Sequence, residues 1–322
     1  MPPATTLLPR LLFAWLEVTL QCNEHCVHCF NDSGPHHKTH GTMDAGNWCE
    51  LLDQLRDMGV RNVQFIGGEP ALNPDLPDLI AYARHKAHMI GIEVFTNLTY
   101  VPDPLWAAYQ RYRVRLATSY YSDDAAEHDH LTQTRGAHAR TRANIIQAQQ
   151  LGIPVRAGVI RMTPNQRITH AEDDLRTLGV ADVAHDDVRA FGRATTAPPK
   201  TEDLCGHCGR GKVAITATGD VLPCTLARHM PVGNLFGATL ADIYHGPGMA
   251  AARAELAETH PELLTCCTPP QFLPSCGPAN ICAPDAAPPP KKSSESGGEV
   301  DGCQPKKGGL RYYNRTLTPF DC

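Results

Sequence analysis

Residues 22–29 read Cys22-Asn-Glu-His-Cys26-Val-His-Cys29 and follow directly on an apolar, strand-like run, Phe13–Thr19. Three thiols within eight residues can wrap one face of an iron–sulfur cubane and leave its fourth iron without a protein ligand. An iron in that state can bind and activate a small molecule. The competing reading is a structural zinc site, which needs four ligands and would draw the fourth from His25 or His28.

Working outward, short apolar runs alternate with helical patterns. Strands are expected at Phe13–Thr19, Asn62–Ile66, Gly91–Thr96, Val114–Ser119, Val155–Ile160 and Val183–Arg189. Helices are expected at Asp44–Met58, Leu76–His88, Pro104–Arg111, His138–Leu151 and Ala171–Leu178, with Gly59 and Gly152 where C-terminal caps belong. This alternation predicts parallel strands joined by right-handed crossovers, as an open doubly wound sheet or a partial (β/α) barrel.

Composition narrows the classes. The chain has 322 residues, 42% hydrophobic and 20% charged, with a formal net charge of −5. These are ordinary globular values. No apolar run reaches the roughly eighteen residues of a membrane span. The patch Leu11–Leu16 is short, is broken by Glu17 and lacks a small-residue cleavage pattern, so no secretory signal is expected. The mild negative charge argues against a broad nucleic-acid surface. Thirteen cysteines in such a chain, expected in the cytoplasm, point to metal ligation or thiol chemistry rather than disulfides.

The cysteines fall in two regions. Beyond the triplet and Cys49, which is expected as a buried thiol on a helix, nine lie between Cys205 and Cys322. Ala194–Lys200 reads as a linker, and Val213–Ala217 with Val221–Pro223 reads as a hairpin about Gly219-Asp220. The expected organisation is a first domain over 1–197, a small second domain over 198–285 and a disordered Pro/Lys/Ser/Gly tail over 286–322.

The triplet on the loop after the first strand, with Gly67-Gly68-Glu69-Pro70 after the second, resembles the CxxxCxxC and GGEP motifs of the radical S-adenosylmethionine (SAM) enzymes. The resemblance covers roughly residues 11 to 190. It implies a partial (β/α)6 barrel and a SAM-binding [4Fe–4S] cluster held by Cys22, Cys26 and Cys29. It also places SAM contacts at Gly67, Gly68, Glu69, Asn97, Ser119 and Arg156, with Glu69 on the SAM ammonium. The chemistry implied is cleavage of SAM by one electron, from a reductant such as flavodoxin or ferredoxin. The resulting 5′-deoxyadenosyl radical takes hydrogen from an unactivated carbon.

Cys208-x10-Gly219-x4-Cys224 resembles the opening of the SPASM and twitch domains, which carry auxiliary iron–sulfur clusters. The rest departs from the full SPASM pattern: Cys276-x5-Cys282 remains, with Leu273 and Ala286 at the flanking places. At least one auxiliary [4Fe–4S] cluster is therefore expected, on Cys208 and Cys224 with two of Cys266, Cys267, Cys276 and Cys282. Cys276 and Cys282 are preferred. A zinc ribbon built on Cys205-x2-Cys208 is the alternative.

The segments CFNDSGP, HGTM, QFIGGEP and SYYSDD resemble the neomycin C epimerase type of enzyme. The expected function is hydrogen abstraction from a small natural-product substrate, an aminoglycoside-type sugar, with a spare cysteine returning hydrogen to the opposite face. Candidate donors are Cys267, Cys266 and Cys205; Cys303 and Cys322 are expected to be free. Asp123 and Asp124 either bind a cationic substrate or cap the next helix. The alternative is a maturase of a ribosomally made peptide, although nothing resembles the small leader-recognition domain of some such enzymes. A non-catalytic iron–sulfur or zinc regulator would have no use for GGEP.

Overall fold

The computed structural model describes residues 9–261. The first half alternates as β1 (Phe13–Glu17), α1 (Ala45–Asp57), β2 (Asn62–Ile66), α2 (Leu76–His85), β3 (Gly91–Phe95) and α3 (Asp103–Arg111). It continues through β4 (Arg115–Tyr120), α4 (Ala125–Thr132), α5 (Ala137–Gln150), β5 (Val155–Arg161), α6 (Ile168–Thr177) and β6 (Asp182–Asp187). All six strands lie parallel in sequence order from β1 to β6. This is the partial barrel, with an open sheet, that the family resemblance implies. The unexpected element is α4. Its eight residues, AAEHDHLT, carry almost no apolar stripe, so periodicity passes over them.

The period of two along each strand sorts the interior from the exterior. Ala14 and Leu16, Val63 and Phe65, Ile92 and Val94, and Leu116 and Tyr120 face the helices and form the main core. The intervening residues face into the barrel.

The second half does not stand apart from this sheet. β7 (Lys212–Ile215) pairs parallel with β1, Ala14 opposite Val213, and β8 (Asp220–Leu222) and β9 (Gly233–Asn234) add antiparallel beyond it. Nine strands therefore form one sheet that crosses the linker at Ala194–Lys200. Two helices follow β9, α7 (Leu240–His245) and α8 (Pro247–Thr259). Gly246 closes the first, and Pro247 opens the second at the position where a missing N–H costs nothing.

Candidate active site

The carboxyl ends of the strands surround a cavity, as parallel (β/α) folds arrange their sites. Ile66, Phe95, Ser119 and Ile160 reach it from the ends of β2 to β5, and Cys22, Cys26 and Cys29 reach it from the loop after β1. The cysteine loop is tied to the sheet by small polar contacts. Cys22 N–H donates to Gly34 O at 3.4 Å, and Cys29 N–H to Cys26 O at 3.3 Å. The Cys29 thiol donates to Asn31 Oδ1 at 3.0 Å, while Asn31 Nδ2 donates to Gly67 O at 3.2 Å. The paired glycines serve this junction. A Cβ on Gly68 would land on the Gln21 carbonyl and one on Gly67 would lie 2.5 Å from Thr19 O, so both are needed for the two loops to touch.

The residues fit an iron–sulfur cluster with a bound small molecule. Four buried polar atoms have no hydrogen-bond partner and belong to cavity residues: Glu24 Oε1, His28 Nδ1, Ser33 Oγ and His128 Nδ1. Native proteins rarely leave such groups unmatched. His28 sits between two of the thiols, its Nε2 3.1 Å from the Tyr121 hydroxyl. Burial, helped by Arg193, pulls His28 down to about 4. Burial likewise pulls His128 down to about 4, so both rings are neutral. It raises all three thiols, Cys22 and Cys26 most, and pushes Glu24 up to about 8. Ligation by iron requires these thiols to give up their protons.

Of the expected SAM contacts, Gly67, Gly68, Asn97 and Ser119 line the cavity, and Asn97 Nδ2 lies 3.9 Å from Cys22 Sγ. Two do not. Glu69 is fully buried, and its carboxylate accepts from Ala71 N–H at 2.9 Å, the Thr96 hydroxyl at 2.7 Å and Asn97 N–H at 2.8 Å. It braces the β2 and β3 loops. Burial outweighs these bonds and pushes it up to about 7. Arg156 faces into the barrel, but four residues before Ile160, or about 13 Å lower along β5. There it grips Glu93 at 2.8 and 2.7 Å.

The Asp pair also resolves. Asp124 caps α4, accepting from Glu127 N–H at 2.9 Å, and Asp123 pairs with Arg167 at 2.7 Å. Neither lines the cavity. Sequence reasoning did not single out Asn31, Ser33 or His128 as cavity residues. Each becomes visible only once the cysteine loop and α4 are folded over the strand ends. Loop residues His36 and His37 stack on each other near the surface, and no group of three metal-binding side chains among the described residues is placed to hold a single ion.

In the second region Cys208 Sγ lies 2.9 Å from Cys224 Sγ, and Cys205 hydrogen-bonds Cys208 as well. Cys205, a candidate hydrogen donor, therefore sits beside the candidate auxiliary ligands Cys208 and Cys224. The three pack in an apolar cluster with Trp15 and Leu226, which joins this site to the barrel interior. Arg228 crosses the same boundary, gripping buried Glu17 on β1 at 2.7 Å. Cys49 is half-buried on α1 against the main core. Cys266, Cys267, Cys276, Cys282, Cys303 and Cys322 lie outside the described residues, as does the expected tail.

Comparison with known proteins agrees with this geometry. The radical SAM superfamily model matches residues 16–178, just over half the chain, and the SPASM iron–sulfur cluster-binding domain model matches 205–269. The subtilosin biosynthesis protein AlbA of Bacillus subtilis is 24% identical over 275 residues, covering 74% of this chain and 60% of that protein. The PqqA peptide cyclase of Xanthomonas euvesicatoria is 25% identical over 313 residues, covering 81% of each. In fold, Streptococcus suis SuiB, solved with its precursor peptide SuiA, superposes with a TM-score of 0.62 at 17% identity, covering 76% of this chain and 68% of that one. Three thiols and a paired glycine meeting at the mouth of an open parallel sheet, with a second thiol group behind, thus have a shared ancestry. The chain belongs to the radical SAM superfamily, carries a SPASM domain after its barrel, and takes SAM, a [4Fe–4S] cluster and auxiliary iron–sulfur as cofactors.

Proposed function

We propose that the chain is a radical SAM maturase acting on a ribosomally made peptide. The supporting observation is that relatives spanning about three-quarters of the chain are named for peptide cyclisation and bacteriocin biosynthesis. In this reading Cys22, Cys26 and Cys29 hold the SAM-binding cluster. Cys208 and Cys224, with Cys205 and cysteines beyond residue 261, hold auxiliary iron. Residues 1–197 form the catalytic unit and 198–285 the auxiliary one.

When bound, SAM and the reduced cluster supply a carbon-centred radical able to take hydrogen from an unactivated C–H bond. The chain's own groups prepare the place for it. Asn97, Ser119 and Tyr121 offer polar contacts at the strand ends, and neutral His28 offers an uncharged ring beside the thiols. Phe30, Ile66, Phe95, Ile160 and Leu226 line the rest and exclude water.

The second reading, epimerisation of an aminoglycoside-type sugar with Cys266 or Cys267 returning hydrogen, rests on the epimerase-like segments. Several of these contribute to the cavity wall through Cys29, Phe30, Gly67 and Tyr121. Anaerobic turnover in deuterated buffer separates the two. A peptide whose mass changes in step with 5′-deoxyadenosine formation supports maturation. A sugar that gains one deuterium while every candidate peptide stays unmodified overturns it.

A further inference from the structure

The segment that leaves β6 does not run straight to the second domain. It turns back across the cysteine loop. Gly192 takes φ +55° and sits so close to the loop that a Cβ there would strike the Cys29 carbonyl. Arg193 follows, and its backbone N–H donates to Cys29 O at 3.0 Å. Its side chain reaches further in: Nε donates to Cys26 O at 2.9 Å and Nη1 to Asp32 Oδ1 at 2.7 Å. Nη2 is buried with no partner. Backbone and guanidinium together thus hold the carbonyls of two candidate cluster ligands.

We propose that Arg193 is a positioning residue for the catalytic cluster, clamping the Cys26–Cys29 turn and holding a fixed positive charge beside it that favours its reduced state. This rests on the cluster assignment above. The electrostatic half follows from charge counting. Three thiolates on a [4Fe–4S]2+ core carry a net charge of about −1. One electron from a low-potential one-electron carrier takes the core to [4Fe–4S]+ and the assembly to about −2. A buried cation nearby stabilises the more negative state more strongly. The guanidinium already reaches this turn, with Nε on the Cys26 carbonyl and Nη2 buried without a partner. Asp32 works against it. Its carboxylate lies 2.7 Å from Nη1 and screens the charge from the outer side.

Two substitutions with opposite expected signs test the clamp. Arg193→Gln removes the charge, and the midpoint potential of the SAM-binding cluster should fall in an electron paramagnetic resonance titration. Asp32→Asn exposes the charge, and the potential should rise by a smaller amount. Asp32 has φ +56°, a conformation that Asn accepts well, so this variant keeps the turn. Arg193→Lys should restore the potential without the two-point grip. In the apoprotein, Cys29 alkylation should accordingly run several-fold faster in both Arg193 variants than in wild type. If Arg193→Gln cannot hold iron, Asp32→Asn decides alone. A wild-type cluster whose potential fails to rise in Asp32→Asn, or moves the same way in Asp32→Asn and Arg193→Gln, overturns the proposal. A wild type that assembles no SAM-responsive cluster overturns the cofactor assignment to Cys22, Cys26 and Cys29 instead.

Discussion

The two ends of the barrel interior differ in how they match charged groups, although Gln64 Oε1 stays unpartnered in the lower half as well. In the lower half, Glu93 on β3 is gripped by Arg156 on β5 at 2.7 Å and Arg115 on β4 at 3.1 Å, and it also accepts from Gln64 on β2. Arg115 passes on to Asp182 on β6 at 2.7 Å. The charges are matched, and Glu93 stays below its usual carboxylate range despite its burial because the two arginines outweigh desolvation. At the upper end Glu24, His28, Ser33 and His128 each keep a buried polar atom with no protein partner. The lower network fixes the spacing of five strands, β2 to β6. The upper one is left open for ligands that the protein itself does not supply.

The sharpest way to break this contrast is at the top. Replacing Cys22, Cys26 and Cys29 together by Ala should abolish 5′-deoxyadenosine formation while leaving auxiliary iron and the thermal transition of the apoprotein nearly unchanged. SAM cleavage that survives, or iron that falls to zero, contradicts two separate sites. At the bottom, Arg156→Met leaves Glu93 buried with one cation fewer, and stability should fall by about 3–5 kcal/mol. Denaturant unfolding measures this. SAM affinity per folded molecule should not change, and if it drops tenfold, Arg156 has a role at the cofactor after all.

The next effect is a pH dependence. His128 is pulled from 6.5 to about 4 by burial. A histidine depressed in the fold contributes stability that is present above its unfolded pKa and is lost as pH falls from about 6.5 toward 4. The loss reaches about 3 kcal/mol at most. The ratio of wild-type to His128→Gln stability should therefore shrink across that window, and parallel pH curves for the two proteins would remove His128 as the source. The smallest expected change tests a brace that lies at the top but behaves like the bottom. Glu69→Gln turns an amide donor toward at least one of its three donors and should cost about 1–3 kcal/mol. SAM affinity should stay within a few-fold. A large loss of SAM binding without loss of stability would return Glu69 to the ligand.

Most of the scaffold was legible in the chain because its periods are strong. β2 falls at Asn62–Ile66 as expected, and α1 starts where Asp44 and Asn47 cap each other. The triplet and the glycine pair were legible because their chemistry depends on spacing along one loop. The partners of Arg156 and Glu69 were not legible, for a common reason. Motif position tells which strand end a residue is near, whereas the height along the strand and the direction of a carboxylate depend on what packs beside it. Counting back by twos from Ile160 through Gly158 places Arg156 inside the barrel but cannot say that Glu93 waits there.

The sequence alone determined the parallel order of alternating elements, the thiol triplet on the first loop and the thiol pair around Gly219. Each is a local matter of period, spacing or turn chemistry. Only the tertiary structure decided that β7 would pair with β1, so that one sheet carries both cysteine regions. It also decided that Arg193, 164 residues beyond Cys29, would return to hold that loop. Contacts of that separation leave no periodic trace. They arise because buried carbonyls and charges must find partners, and the folded chain brings the nearest partner from far along the sequence.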